Sequence, residues 1–92
     1  MIKGFKDRRA QALFEDESVP RLAAIKDVLL RKLDMLDAAK SLSDLRIPPG
    51  NRLEGLLGDR AGQYSIRVNS QWRICFIWTA DGPDEIEIVD YH

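Results

Sequence analysis

Apolar residues recur along the first half of the chain at helical spacing. Leu22, Ile25, Leu29, Leu33 and Leu36 follow one another at intervals of three, four, four and three. They form one stripe, with Lys26, Asp27, Arg31, Lys32 and Asp34 largely off it, which predicts an amphipathic helix. Ser18 suits its N-cap, and Pro20 is tolerated in a first turn. Upstream, "MIKGFK" alternates well enough for a short strand, and "DRRAQALFED" predicts a short helix carrying Ala12, Leu13 and Phe14. Downstream, "AAKSLSDLRIPPG" predicts one helical turn over 43–46 capped by Ser43, stopped hard by Pro48-Pro49-Gly50.

Beyond Gly50 the period changes to two. "RLEGLL" is a candidate strand and "GDRAG" a turn. "QYSIRVN" puts Tyr64, Ile66 and Val68 on one face, with Ser65 and Arg67 opposite. "QWRICFIWT" puts Trp72, Ile74, Phe76 and Trp78 on one face, with Arg73, Cys75 and Ile77 opposite. "ADGPD" then turns the chain into a last strand, "EIEIVDYH". Helices first and hairpins second predict an α+β domain, residues 1–92, with helices on one face of an antiparallel sheet.

Composition adds limits. Hydrophobic residues make up 45% and charged residues 32%, the balance of an ordinary soluble globular domain. The longest apolar run, Ile74 to Trp78, is too short to span a membrane, and "MIKGFKDRR" has no apolar stretch behind it to make a signal peptide. The single cysteine, Cys75, cannot form an internal disulfide. A cytoplasmic location is expected. A net charge of −1 argues against binding nucleic acid through bulk charge. Its distribution is uneven: residues 1–46 carry ten Lys/Arg and eight Asp/Glu, residues 47–92 four and seven. Those last four cations are all arginine: Arg52, Arg60, Arg67 and Arg73. The planar guanidinium suits phosphate contact.

Consecutive hairpins bring these arginines to the last residues, "IVDYH". A turn centred on Ser70 sets Arg67 opposite Arg73. A turn near Asp81-Gly82 sets Arg73 near Asp90 and Trp72 near Tyr91, within a one-residue slip. Facing like charges are unfavourable unless an anion lies between them. Asp90 could be that anion, making the cluster a salt-bridge network only, and His92 could be an idle chain end. The alternative is a site for a phosphodiester. Arginine stabilises a pentavalent phosphoryl transition state, histidine moves protons, and tyrosine stacks on a base. RNA brings its own nucleophile in the 2′-hydroxyl, so no metal is required. The sequence holds no metal-ligand spacing and no phosphate-cradling glycine loop.

The "SIRVNSQWRICF" hairpin and the closing "VDYH" resemble the HigB branch of the RelE/ParE toxin superfamily, and the likeness extends over "RKLDMLDAAKSLSDLRIPPG". The resemblance implies a RelE-like fold, two helices against a small antiparallel sheet. It also implies a type II toxin that cleaves messenger RNA at the ribosomal A site, without a cofactor. On the matching positions, His92 would transfer protons, Tyr91 would stack or orient, Asp90 would position its neighbours, and Arg73 would contact phosphate. Arg67, from register, and Arg52 are added as phosphate-binding candidates. Some members carry a second histidine where this chain has Glu54, and a lysine where it has Leu57. Glu54 would then take over a proton-transfer role, or that role drops out, and a slower enzyme is expected.

The partners implied are a HigA-type antitoxin with a helix-turn-helix domain, the ribosome and its mRNA. Operator DNA would be reached only through the antitoxin, and no membrane is involved. A ribosome-bound factor needs a local basic face, for which Lys3, Lys6, Arg8, Arg9, Arg21, Lys26, Arg31 and Lys32 are candidates. Two rival readings share the fold: a ParE-like toxin that binds DNA gyrase without cutting RNA, and an attenuated member that mainly binds its antitoxin.

Overall fold

A computed structural model describes residues 1–91. Two α-helices, α1 (Arg8–Phe14) and α2 (Lys26–Ala38), lie against a sheet of four strands. The strands are β1 (Glu54–Gly55), β2 (Tyr64–Arg67), β3 (Trp72–Thr79) and β4 (Gly82–Asp90), antiparallel and in sequence order. Leu22, Leu29, Leu33 and Leu36 of the helical stripe are buried, as are Ile66, Ile74, Phe76, Ile86 and Ile88 from the facing side of the sheet. Each such side chain contributes about 1.5–3 kcal/mol of apolar burial, which holds the two layers together. No helix among the described residues is long and apolar enough to cross a membrane.

Several boundaries differ from the sequence expectation. The long helix does not begin at Ser18. A 3₁₀ segment, Pro20–Ile25, leads into α2, and its N-cap position is Val19, which makes no side-chain cap bond. Pro20 still occupies the first turn, where its missing N–H costs nothing. The next turn, Leu42–Arg46, is capped from Ser41 rather than Ser43, with the Asp44 carboxylate accepting from the Lys40 and Ser41 amides at 2.9 and 3.2 Å. "RLEGLL" shrinks to the two residues of β1.

The segment "MIKGFK" makes a single parallel bridge, Phe5 to Ile86, rather than a strand. Its amides and carbonyls still run along β4. Lys3 donates to Pro83 at 2.8 Å, Lys6 and Asp7 both donate to Ile86, and Ile86 donates to Gly4 at 3.2 Å. A bulge explains why no regular ladder forms. Ile77 pairs with Asp84 and Cys75 with Glu87, so β4 carries one extra residue there, and Glu85 takes a left-handed φ of 51°.

Asp7 ties α1 to the sheet. Its carboxylate accepts from the Arg9 amide at 2.9 Å as an N-cap, from the Arg9 guanidinium, and from the Ile88 amide of β4 at 3.0 Å. Burial alone would raise its pKa. The hydrogen bonds from Arg9 and Ile88 outweigh that and hold it below the usual value. A depressed carboxylate contributes stability at pH above about 4 and loses it as pH falls through the folded-state value. Asp7→Ala is therefore expected to cost about 1–2 kcal/mol near neutral pH. In urea titrations the gap from wild type should shrink at pH 3; a gap independent of pH would refute this account.

Candidate active site

The β2–β3 hairpin is closed by Asn69, whose side-chain oxygen accepts from the Gln71 and Trp72 amides, both at 2.8 Å. This turn fixes the register, and Arg67 pairs with Arg73 as the sequence predicts. Alternation along the strands puts Ser65, Arg67, Arg73, Cys75 and Glu87 on the sheet face away from the helices. That face is not simply solvated: Ser65 and Cys75 are fully buried and Arg73 is 9% exposed.

The Arg73 guanidinium is held from several sides. Nε donates to the Ser65 hydroxyl at 2.8 Å, and Nη2 donates to the Arg52 carbonyl at 2.8 Å. The Glu54 carboxylate of β1 lies 3.6 Å from Nη2. The Tyr91 ring covers the guanidinium, its centroid 5.7 Å from Cζ, within cation–π range. The anion beside Arg73 is therefore Glu54, which is half-exposed and reachable by a ligand. Arg67 has no side-chain hydrogen bond or ion pair among the described residues, and neither has the exposed side chain of Arg52. Both are free to meet phosphate.

Register on the other side of β3 is displaced by one residue from expectation. Trp72 pairs with Asp90, and Arg73 with Val89. The β3–β4 turn comes one residue earlier, at Ala80-Asp81, which alone would displace the pairing by two; the extra residue at Glu85 restores one. A one-residue slip exchanges faces. Asp90 thus falls in register with Ile88 on the helix side, not beside Arg73, and accepts from the Gln71 amide side chain at 3.2 Å. Tyr91 benefits from the same slip: its amide donates to the Gln71 carbonyl, and its ring reaches Arg73. His92, the proton-transfer candidate, lies outside the described residues.

Below Tyr91 the surroundings are half-dry. Burial, reinforced by the neighbouring Cys75, raises the pKa of its phenol. The phenol is thus protonated at neutral pH and available to donate. Burial likewise raises Cys75, which keeps the thiol inert. Arg60 reaches across from the Gly58–Arg60 turn to Glu87 at 2.9 Å. Its pKa is raised chiefly by that bond, so this arginine is already spent inside the fold.

Two of the basic-face candidates are also committed internally. Arg9 is bound to Asp7 and to the Ile88 carbonyl, and Lys32 donates to the Asn51 side chain. Lys6 lies 3.8 Å from Glu87. Lys3, Arg8, Arg21, Lys26 and Arg31 are exposed with no ion pair among the described residues.

Sequence reasoning overlooked Ser65 and Gln71. A signal for Ser65 existed: once Arg67 is set opposite Arg73, a residue two before Arg67 is the diagonal neighbour of Arg73 on the same face. Gln71 acts through its backbone carbonyl and its side-chain amide, and a turn position carries no period that marks either.

The family model for the RelE-like toxin of the type II toxin-antitoxin system HigB matches residues 3–92. Toxin HigB-1 of Vibrio cholerae is 51% identical over 80 residues, covering 85% of this chain and 84% of that protein. Endoribonuclease HigB of Proteus vulgaris is 34% identical over 95 residues, covering the whole of both.

Proposed function

The chain belongs to the HigB-like toxins, RelE-like members of type II toxin–antitoxin systems with an antitoxin as partner, and on that premise we propose that it is an endoribonuclease that cuts messenger RNA in the ribosomal A site. The observation that carries the proposal is the meeting of Arg73, Glu54 and Tyr91 at one end of the sheet face, with Arg67 across the ladder and Arg52 at the rim. The name of the Proteus vulgaris relative supports the same reaction.

In this scheme the 2′-hydroxyl of one nucleotide attacks the adjacent phosphorus. The P–O5′ bond breaks, leaving a 2′,3′-cyclic phosphate and a 5′-hydroxyl. Glu54 takes the 2′-hydroxyl proton, and its exposure lets a ribose approach. Arg73 stabilises the charge that builds on the equatorial oxygens. His92, next in sequence after Tyr91, returns a proton to the departing 5′-oxygen. Tyr91 offers a ring for base stacking and a protonated phenol. Arg67 and Arg52 attract neighbouring phosphates, and Asp90 steadies the end of β4 through Gln71. No step calls for a metal, because the substrate supplies the nucleophile.

The whole of residues 1–92 acts as one domain in this reading. The partner is a HigA-type antitoxin whose helix-turn-helix domain carries the pair to operator DNA, and the toxin works in the cytoplasm on ribosomes.

Incubating the protein with ribosome-bound mRNA should produce new 3′ ends carrying 2′,3′-cyclic phosphate. Intact mRNA together with inhibition of gyrase supercoiling would overturn the proposal in favour of a ParE-like binder. Intact mRNA with no growth defect after antitoxin removal would leave an antitoxin-binding module.

A further inference from the structure

Arg73 is more enclosed than a cation that merely attracts RNA needs to be. A guanidinium has five N–H donors. Here Nε is bound to Ser65 Oγ at 2.8 Å, while Nη2 is bound to the Arg52 carbonyl at 2.8 Å and lies 3.4 Å from the Ser65 carbonyl. None of the hydrogen bonds among the described residues uses Nη1. We infer that Ser65 is a positioning residue: with the Arg52 carbonyl it sets the plane of Arg73 so that Nη1 meets the scissile phosphate. This rests on the reading that Arg73 contacts a phosphodiester.

Two independent features support the inference. Ser65 is a fully buried serine between Tyr64 and Ile66, and its hydroxyl has one partner among the described residues, Arg73 Nε. A buried hydroxyl is retained at a cost unless it is bonded, so the bond to Arg73 accounts for a serine there. On the opposite side, Arg52 adopts a left-handed conformation, φ 45° and ψ 54°, which a residue with a side chain takes only under constraint. That conformation turns its carbonyl towards Nη2.

The constraint is visible in the preceding residue. Asn51 is fully buried, donates to the Leu45 carbonyl at 3.1 Å and accepts from Lys32 of α2. The corner is thus locked to the helical layer, and a strand and a corner together clamp one guanidinium. Arginine commonly grips phosphate by two parallel N–H bonds. With the Nε and Nη2 edge occupied, phosphate is left the Nη1 edge. A directional contact of that kind aids the transition state only while the plane is fixed, and small misplacements of such groups cost large factors in rate.

Wild type, Ser65→Ala and Ser65→Thr are compared on ribosome-bound mRNA, with melting temperatures recorded for each. Ser65→Ala should lower kcat by about tenfold with KM within about twofold, and Ser65→Thr, which restores the hydroxyl, should recover most of the rate. Without RNA, ¹⁵N NMR should show the Arg73 Nε proton protected from exchange in wild type and Ser65→Thr and exposed in Ser65→Ala. A wild-type kcat in folded Ser65→Ala would overturn the inference, as would equal Nε exchange in wild type and Ser65→Ala. If wild type cuts no RNA, the nuclease reading fails separately. The clamp is then decided by the Nε protons and by whether a dinucleotide phosphodiester shifts Nη1: a shift in wild type that weakens in Ser65→Ala upholds it, and no shift sinks it.

Discussion

Arg73→Ala is expected to cut RNA about 10²–10³-fold more slowly than wild type, the loss typical of removing one preorganised donor from developing negative charge. The side chain is buried, so the substitution also strands the Ser65 hydroxyl and the Arg52 carbonyl. An unmet acceptor costs about 1–3 kcal/mol of stability. Rate and fold are therefore measured together, with single-turnover cleavage at a temperature where circular dichroism shows the variant folded. Arg73→Lys separates charge from shape. An ammonium keeps the charge but cannot satisfy Ser65, Arg52 and a phosphate in one plane. Its rate should stay closer to the alanine variant than to wild type. Cleavage within tenfold of wild type by folded Arg73→Ala would remove this residue from the chemistry.

His92→Ala carries the second large expectation. A general acid is worth about 10²–10⁴ in rate. The acid must hold its proton to give it, so wild-type cleavage should decline as pH rises and the donor is lost. In His92→Ala that decline should vanish along with the rate. A substrate whose departing 5′-oxygen is replaced by sulfur leaves without help from an acid and should restore the variant. If the sulfur substrate is cut no faster than its oxygen counterpart by His92→Ala, proton donation is not what the residue supplies.

The helical stripe and the hairpin alternation were legible because burial imposes a period, and a period survives in any sequence. The core residues of α2, β2 and β3 followed from it, as did the Arg67–Arg73 pair, since a short turn leaves little freedom of register. What could not be read depends on single residues that break a period. Glu85 adds one residue to β4 and exchanges the faces of everything after it, so Asp90 left the arginine cluster and Tyr91 entered it. The parallel bridge of residues 3–7 with β4 joins segments far apart in the chain, and no local pattern encodes it. The site was half legible for the same reason. Arg73, Glu54 and Tyr91 stand out as chemical types, whereas Ser65 matters only through the neighbour it meets. The Arg52 carbonyl carries no side-chain signature at all.

The segment along β4 has a consequence for assembly. Residues 3–7 take up the Pro83 carbonyl and both backbone polar groups of Ile86 on the outer side of β4, and at the far edge β1 is only two residues long. Exposed sheet margins are where foreign strands join by backbone pairing. With one margin partly covered and the other cut short, a second chain finds little backbone on which to extend the sheet. Copies of the chain are likewise discouraged from pairing edge to edge.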